Sequence, residues 1–276
     1  MNIKSATAIF FSPTSSTKKI AFSILKGMNI EITNTVNLNL KENREKLNYK
    51  IETDIAIIGV PVYGGRIPNG LYNFFKTVQG NGVPTVLVTV YGNVSRGSAL
   101  EELYTLTAKK LDIVAMASFI GQHSFSTKEV PLGENRPNLE DLKIATDFGK
   151  SIQIKLKDAN SSKKDNLIQL SKRQIFIGNF MNFIHAMPQR AGKIFIKEPL
   201  VDLTKCIKCG ECAKQCPKQA INNESLQIDR ELCIGCFNCV KVCPVEARKL
   251  SYKYEKLLAW YLKRANRTYK TPELYI

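Results

Sequence analysis

The sequence of 276 residues is short of histidine, and its cysteines are confined to one place. Histidine occurs only at positions 123 and 185, and no cysteine precedes Cys206. A histidine-rich metal site is therefore excluded. Nowhere do eighteen apolar residues follow one another, so no stretch reads as a membrane span. The Gly-x-Gly-x-x-Gly turn that closes on a nicotinamide dinucleotide does not occur, which leaves direct oxidation of NADH or NADPH unsupported. The opening MNIKSATAIFFSPTSS has neither a long apolar core nor a small-residue cleavage site. That points to the reducing cytoplasm and away from a disulfide framework.

What the chain does have is eight cysteines between 206 and 243, in two copies of one pattern. Cys206, Cys209, Cys212 and Cys216 precede Pro217; Cys233, Cys236, Cys239 and Cys243 precede Pro244, each 27 residues after its counterpart. Three thiolates spaced by three on a tight loop hold three irons of one cubane, while the fourth, turned away by the proline, reaches the other cubane. The expected ligand sets are crossed: Cys206, Cys209, Cys212 and Cys243 for one 4Fe-4S cluster, and Cys233, Cys236, Cys239 and Cys216 for the other. Zinc ribbons also use paired cysteines, but favour two pairs separated by a longer loop and often include histidine. With every cysteine committed to clusters, none is left for thiol catalysis.

Length and cysteine placement favour two domains. Ahead of the cysteines, short apolar runs alternate with helical patterns. Strands are expected near 3–11, 31–39, 53–62, 83–93 and 112–121, and helices after residue 17, over 69–78, 97–110 and 139–156. This is the signature of an α/β doubly wound five-stranded parallel sheet. Ligands of such sheets sit at the carboxyl ends of the strands. The loop after the first strand carries Ser12, Thr14, Ser15, Ser16 and Thr17, a run of hydroxyls at a helix N-terminus suited to an anion such as phosphate. A plain N-cap needs only one of them. The loops after the third, fourth and fifth strands are Pro61-Val62-Tyr63-Gly64-Gly65, Tyr91-Gly92-Asn93 and Gly121 to Phe125, which includes His123. Glycine lets amides approach a flat ring edge, and tyrosine lies against its face. The alternative is that Tyr63 and Tyr91 only fill the sheet edge.

These loops resemble those of the flavodoxins. Ser12, Thr14 and Thr17 match the hydroxyl positions of the flavodoxin phosphate loop, with Ser15 where glycine is usual; serine there would be strained if the position needs positive φ. The resemblance covers about residues 1–157 and implies FMN, with its phosphate on 12–17 and its isoalloxazine between Pro61–Gly65 and Tyr91–Asn93. The whole chain is similar to the family that joins a flavodoxin-like domain to a small α+β bacterial-type ferredoxin domain with two 4Fe-4S clusters. The implied division is 1–158 for the FMN domain, 159–196 for a basic linker and docking segment, 197–252 for the ferredoxin domain and 253–276 for a basic aromatic tail. Within the linker, 167–188 reads first as a helix that docks the domains or pairs two subunits, and second as a basic amphipathic segment for a membrane surface. The tail reads as a helix packed back on the first domain, a landing surface for an acidic protein, or an RNA-binding segment.

The net charge is +16, with 15 basic against 9 acidic residues from Lys197 onward. Such a field steers acidic partners. No nucleic-acid recognition motif accompanies it, so the expected partner is an acidic redox protein of the ferredoxin type. Electron transfer between that partner, the two clusters and FMN is the first functional expectation. A ferredoxin-dependent flavoenzyme acting on a quinone, a nitro compound or free flavin is the second, and a cluster-based nucleic-acid sensor the third. His123 is placed near the flavin as a proton donor, an orienting group or simply a hydrogen-bonding loop histidine; Arg66 and Arg96 are placed on the flavin, on the partner or in solvent. A cluster-to-flavin distance too long within one chain would require a homodimer.

Overall fold

A computed structural model describes residues 3–127, 130–158, 196–252 and 255–276. The 167–188 segment and His185 lie outside the described residues. The first unit runs β1 (Ser5–Phe10), α1 (Ser16–Met28), β2 (Glu31–Asn37), α2 (Lys41–Arg44), β3 (Ile55–Pro61), a short 3-10 turn into α3 (Tyr72–Thr77), β4 (Pro84–Tyr91), α4 (Ala99–Thr107), β5 (Asp112–Ile120) and α5 (Leu139–Lys157). The second runs β6 (Ile196–Val201), α6 (Glu211–Lys214), α7 (Asn238–Lys241) and β7 (Arg248–Tyr252), with β6 and β7 paired antiparallel. A helix α8 (Glu255–Ala265) and a strand β8 (Glu273–Tyr275) follow.

The parallel strands lie in the order β2-β1-β3-β4-β5, and the sequence explains why the centre is so apolar. Alternate residues of β3 feed opposite cores: Ile55 and Ile57 join α1 and α5 through Ile20, Ile24 and Phe148, whereas Ala56, Ile58 and Val60 join α3 and α4 through Phe74, Phe75, Leu100 and Leu103. A strand covered on both faces has no room for polar alternation, and all of β4 is buried. Instead of five strands the sheet has six. Tyr275, Leu274 and Glu273 pair antiparallel with Met116, Ala117 and Ser118, so the end of the chain covers the open edge of β5.

Helices α1 and α5 touch through glycines. A Cβ on Gly149 would stand 2.0 Å from the carbonyl oxygen of Ile24, and one on Gly27 1.9 Å from that of Thr146. Backbone cannot yield as a side chain does. Gly149→Val is expected to cost about 3 kcal/mol by forcing the helices apart, read as a lower urea midpoint with an unchanged slope; an unchanged midpoint would contradict the packing.

Candidate functional site

The two cysteine runs fold alike, residue for residue. Left-handed backbone recurs at the same interval: Lys208 and Gly235, Gly210 and Phe237, Gln219 and Glu246 all have positive φ. The amide of Cys206 donates to the carbonyl of Asp202, and that of Cys233 to the carbonyl of Asp229, both at 3.0 Å. Cys216 Sγ accepts from the amide of Ala220 at 3.4 Å, and Cys243 Sγ from that of Ala247 at 3.2 Å. At Cys243 the backbone hydrogen bonds favour the charged sulfur.

Two similar hollows result. The first is lined by Cys233, Cys236, Cys239 and Cys216, the second by Cys206, Cys209, Cys212 and Cys243. Each hollow thus takes three cysteines of one run and the fourth of the other. Among the described residues no three His, Cys, Asp or Glu side chains group as they would around a single metal ion. Each hollow is lined by four cysteines, the ligand number that a 4Fe-4S cluster takes. Burial pushes the Cys236 and Cys239 thiols up to about 12, so loading with iron must displace their protons.

At the carboxyl ends of β1, β3, β4 and β5 the expected loops come together. Ser15 has φ +64 and no side-chain cap bond, the left-handed conformation for which glycine is the unstrained choice. Ser12 is buried; its Oγ accepts from the amide of Lys18 at 3.1 Å, while Thr17 is buried with its methyl group against Gly59. Thr14 and Ser16 are half-buried and Ser15 is exposed. The amides of Ser16 and Thr17 open α1 with no acceptor among the described residues. They are the free donors that a phosphate needs.

Pro61, Val62 and Tyr63 are half-buried, and Tyr63 and Arg66 exchange backbone hydrogen bonds around Gly64 and Gly65, whose φ angles are +60 and +77. Glu102 fixes this loop: its carboxylate accepts from Arg66 Nη2 at 2.6 Å, from the amide of Ile67 at 3.0 Å, and from the Tyr72 hydroxyl. Arg96 is likewise held by Glu101 at 2.7 Å and Glu273 at 2.9 Å. Both arginines are spent inside the fold, because each lies against a half-buried carboxylate that needs a cation.

On the β4 side the tail takes over. Lys270 Nζ donates to the carbonyl of Asn93 at 2.8 Å and lies 6.0 Å from the centre of the Tyr91 ring, which is buried. Asn93 has φ +60 and donates through Nδ2 to Asn266 at 2.6 Å. Gly92 presses on His123 so closely that a Cβ would stand 2.4 Å from its ring. His123 Nδ1 accepts from the amide of Phe125 at 3.0 Å, which leaves the proton on Nε2. Although part of its surface is accessible, burial first and Lys241 of α7 second push its pKa down to about 4. At neutral pH the ring is uncharged.

The two units meet here. The Phe125 ring packs edge-on against Phe237 of the second cysteine run, and Tyr63 lies near enough to Cys236 for the thiolate to raise its pKa further, after burial. Ile234 packs against the core of the α3–α4 face. Phe237, Lys241 and Lys270 were not anticipated from sequence. The repeat held one signal: at the interval of 27, Phe237 stands where the first run has Gly210.

Residues 198–253 match the family described as 4Fe-4S dicluster domain. The segment is similar to that family. Its matched range includes all eight cysteines that line the two cavities. The comparison with curated proteins found no match. Among solved structures, a flavodoxin from the domain Archaea is 17% identical over 55% of this chain and 99% of its own, with a TM-score of 0.34. A flavodoxin of Streptococcus pneumonia TIGR4 is 16% identical over 55% and 99%, with a TM-score of 0.37. A flavodoxin, WrbA-like protein from Agrobacterium tumefaciens is 13% identical over 56% and 98%, with a TM-score of 0.37. The flavodoxin-like character of the first unit rests on its own strand order, β2-β1-β3-β4-β5, with helices on both faces.

Proposed function

We propose that the protein transfers electrons between an acidic ferredoxin-type partner, two 4Fe-4S clusters and FMN. The observation that carries this reading is the contact between the units: the cavity of Cys233, Cys236, Cys239 and Cys216 opens beside Phe237 and Tyr63, against the loops where a flavin would sit. The crossed cysteine sets would ligate the clusters. Free amides at Ser16 and Thr17, with the hydroxyls of Ser12, Thr14, Ser15 and Thr17 around them, would bind the FMN phosphate; Pro61–Gly65, Gly92 and His123 would border the ring. Bound FMN accepts or gives electrons singly or in pairs, which clusters alone do not. The chain's own part is to fix the centres in place, keep His123 neutral and exclude water.

The flavoenzyme reading needs an open ring face. Asn266 and Lys270 press on the β4 loop and Phe237 packs on Phe125 of the loop after β5, which favours the carrier. No helix among the described residues is long and apolar enough to cross a membrane. The test is an anaerobic preparation assayed for iron, sulfide and released flavin, then mixed with an acidic ferredoxin or with NADH and NADPH. Both cofactors with reduction by the ferredoxin alone are expected. A colourless or zinc-loaded protein would overturn the reading.

A further inference from the structure

Phe237 departs from the repeat in a way that costs stability. Its φ is +54, and its counterpart Gly210 has φ +73. A side chain in left-handed backbone is strained where glycine is not. The side chain is 2% exposed and lines the cavity of Cys233, Cys236, Cys239 and Cys216. Its ring lies 5.3 Å from that of Phe125 at 82°, and Phe125 lies 4.8 Å from His123 at 66°. A ladder of three edge-to-face rings thus runs from the cysteine loop to the loop after β5. Among the described residues the other cavity has no comparable ring contact. There Gly210 offers no side chain, and Cys209 is exposed where its counterpart Cys236 is buried.

We infer that Phe237 is a positioning residue: with Phe125 and His123 it holds the Cys233–Cys239 loop against the flavin loops. The cluster there faces the flavin, and the cluster of Cys206, Cys209, Cys212 and Cys243 faces the partner. This rests on the electron-transfer reading above. Each transfer moves one electron from one centre to the next and breaks no bond, the first donor being a one-electron protein of the ferredoxin class. Transfer between fixed centres falls steeply with the gap; the strain at Phe237 is offset by its burial and by the ring contact with Phe125 that keeps the gap short.

The test uses the full-length holoprotein with Phe237→Gly, which restores the residue of the first run, and Phe125→Leu, which removes the partner ring without touching the cysteine loop. Losing one edge-to-face pair in Phe237→Gly, or both in Phe125→Leu, is expected to raise amide exchange across 121–127 about fivefold or more. In single-turnover mixing, the flavin phase slows by at least as much, while the first cluster phase keeps its rate and iron content is unchanged. Should Phe237→Gly lose iron, Phe125→Leu decides by the same readouts. Unchanged exchange and an unchanged flavin phase in Phe125→Leu, or a slowed first cluster phase, would overturn the inference. If the wild type holds no flavin, the functional reading fails, and the exchange comparison still tests the docking role by itself.

Discussion

The double substitution Cys206→Ala with Cys243→Ala is expected to leave the protein with about half its iron and one intact cluster, while Cys233→Ala with Cys243→Ala loses nearly all of it. The two proteins lack the same number of thiols, so only the grouping of ligands separates them. Cys206 and Cys243 line one cavity, and removing both spoils that cavity alone. Cys233 and Cys243 belong to one run in sequence but to different cavities, so their loss strips a ligand from each. Alanine is preferred to serine, whose oxygen can still bind iron. Iron and sulfide analysis with low-temperature EPR reads the result directly. If the pair drawn from one run kept the intact cluster, the crossed arrangement would be wrong.

Arg136→Ala is expected to cost about 3–5 kcal/mol, because it leaves Asp141 as an uncompensated charge at a buried site. The guanidinium donates to both carboxylate oxygens, through Nε to Oδ2 at 2.9 Å and through Nη2 to Oδ1, and neither side chain is more than 6% exposed. Asp141 also accepts from the amide of Asn138 at 2.9 Å and so caps α5. Arg136 has a second task. Its Nη1 donates to the carbonyl of Lys270 at 2.7 Å and its guanidinium lies 4.7 Å from the centre of the Tyr269 ring, which fixes the tail beside Asn93. Thermal melts are expected to show the loss, and faster amide exchange over 268–275 to show the tail released. Adding Asp141→Leu restores part of the stability, since the buried charge goes with its partner, but not the protection of the tail. A double variant as unstable as the single would mean that Arg136 stabilises the fold mainly by packing and not by neutralising Asp141.

The parts of the fold that sequence made legible are those decided by local pattern. Runs such as TDIAIIGVPV admit only a strand covered on both faces, and the expected boundaries of the five parallel strands differ from the observed ones by a few residues at their ends. The hydroxyl loop was legible as well, down to the question at Ser15, which does adopt positive φ. The roles of Arg66 and Arg96 were not. Each is settled by a glutamate, 36 positions away for Arg66 and 5 for Arg96, and a charge on a loop does not reveal which carboxylate will claim it. Strand β8 was missed for a similar reason: three residues carry too short a pattern to register, and they are held in place by the vacant edge of β5.

The sequence by itself determined the cysteine chemistry and the parallel sheet, because thiol spacing and runs of apolar residues act over a few positions of chain. Tertiary structure alone decided what stands between the two sites. The edge-on packing of Phe237 against Phe125 and the tail seated on Asn93 join residues 112 and 177 positions apart. Contacts at such separations exist only once the sheet and the cysteine loops have formed surfaces that fit.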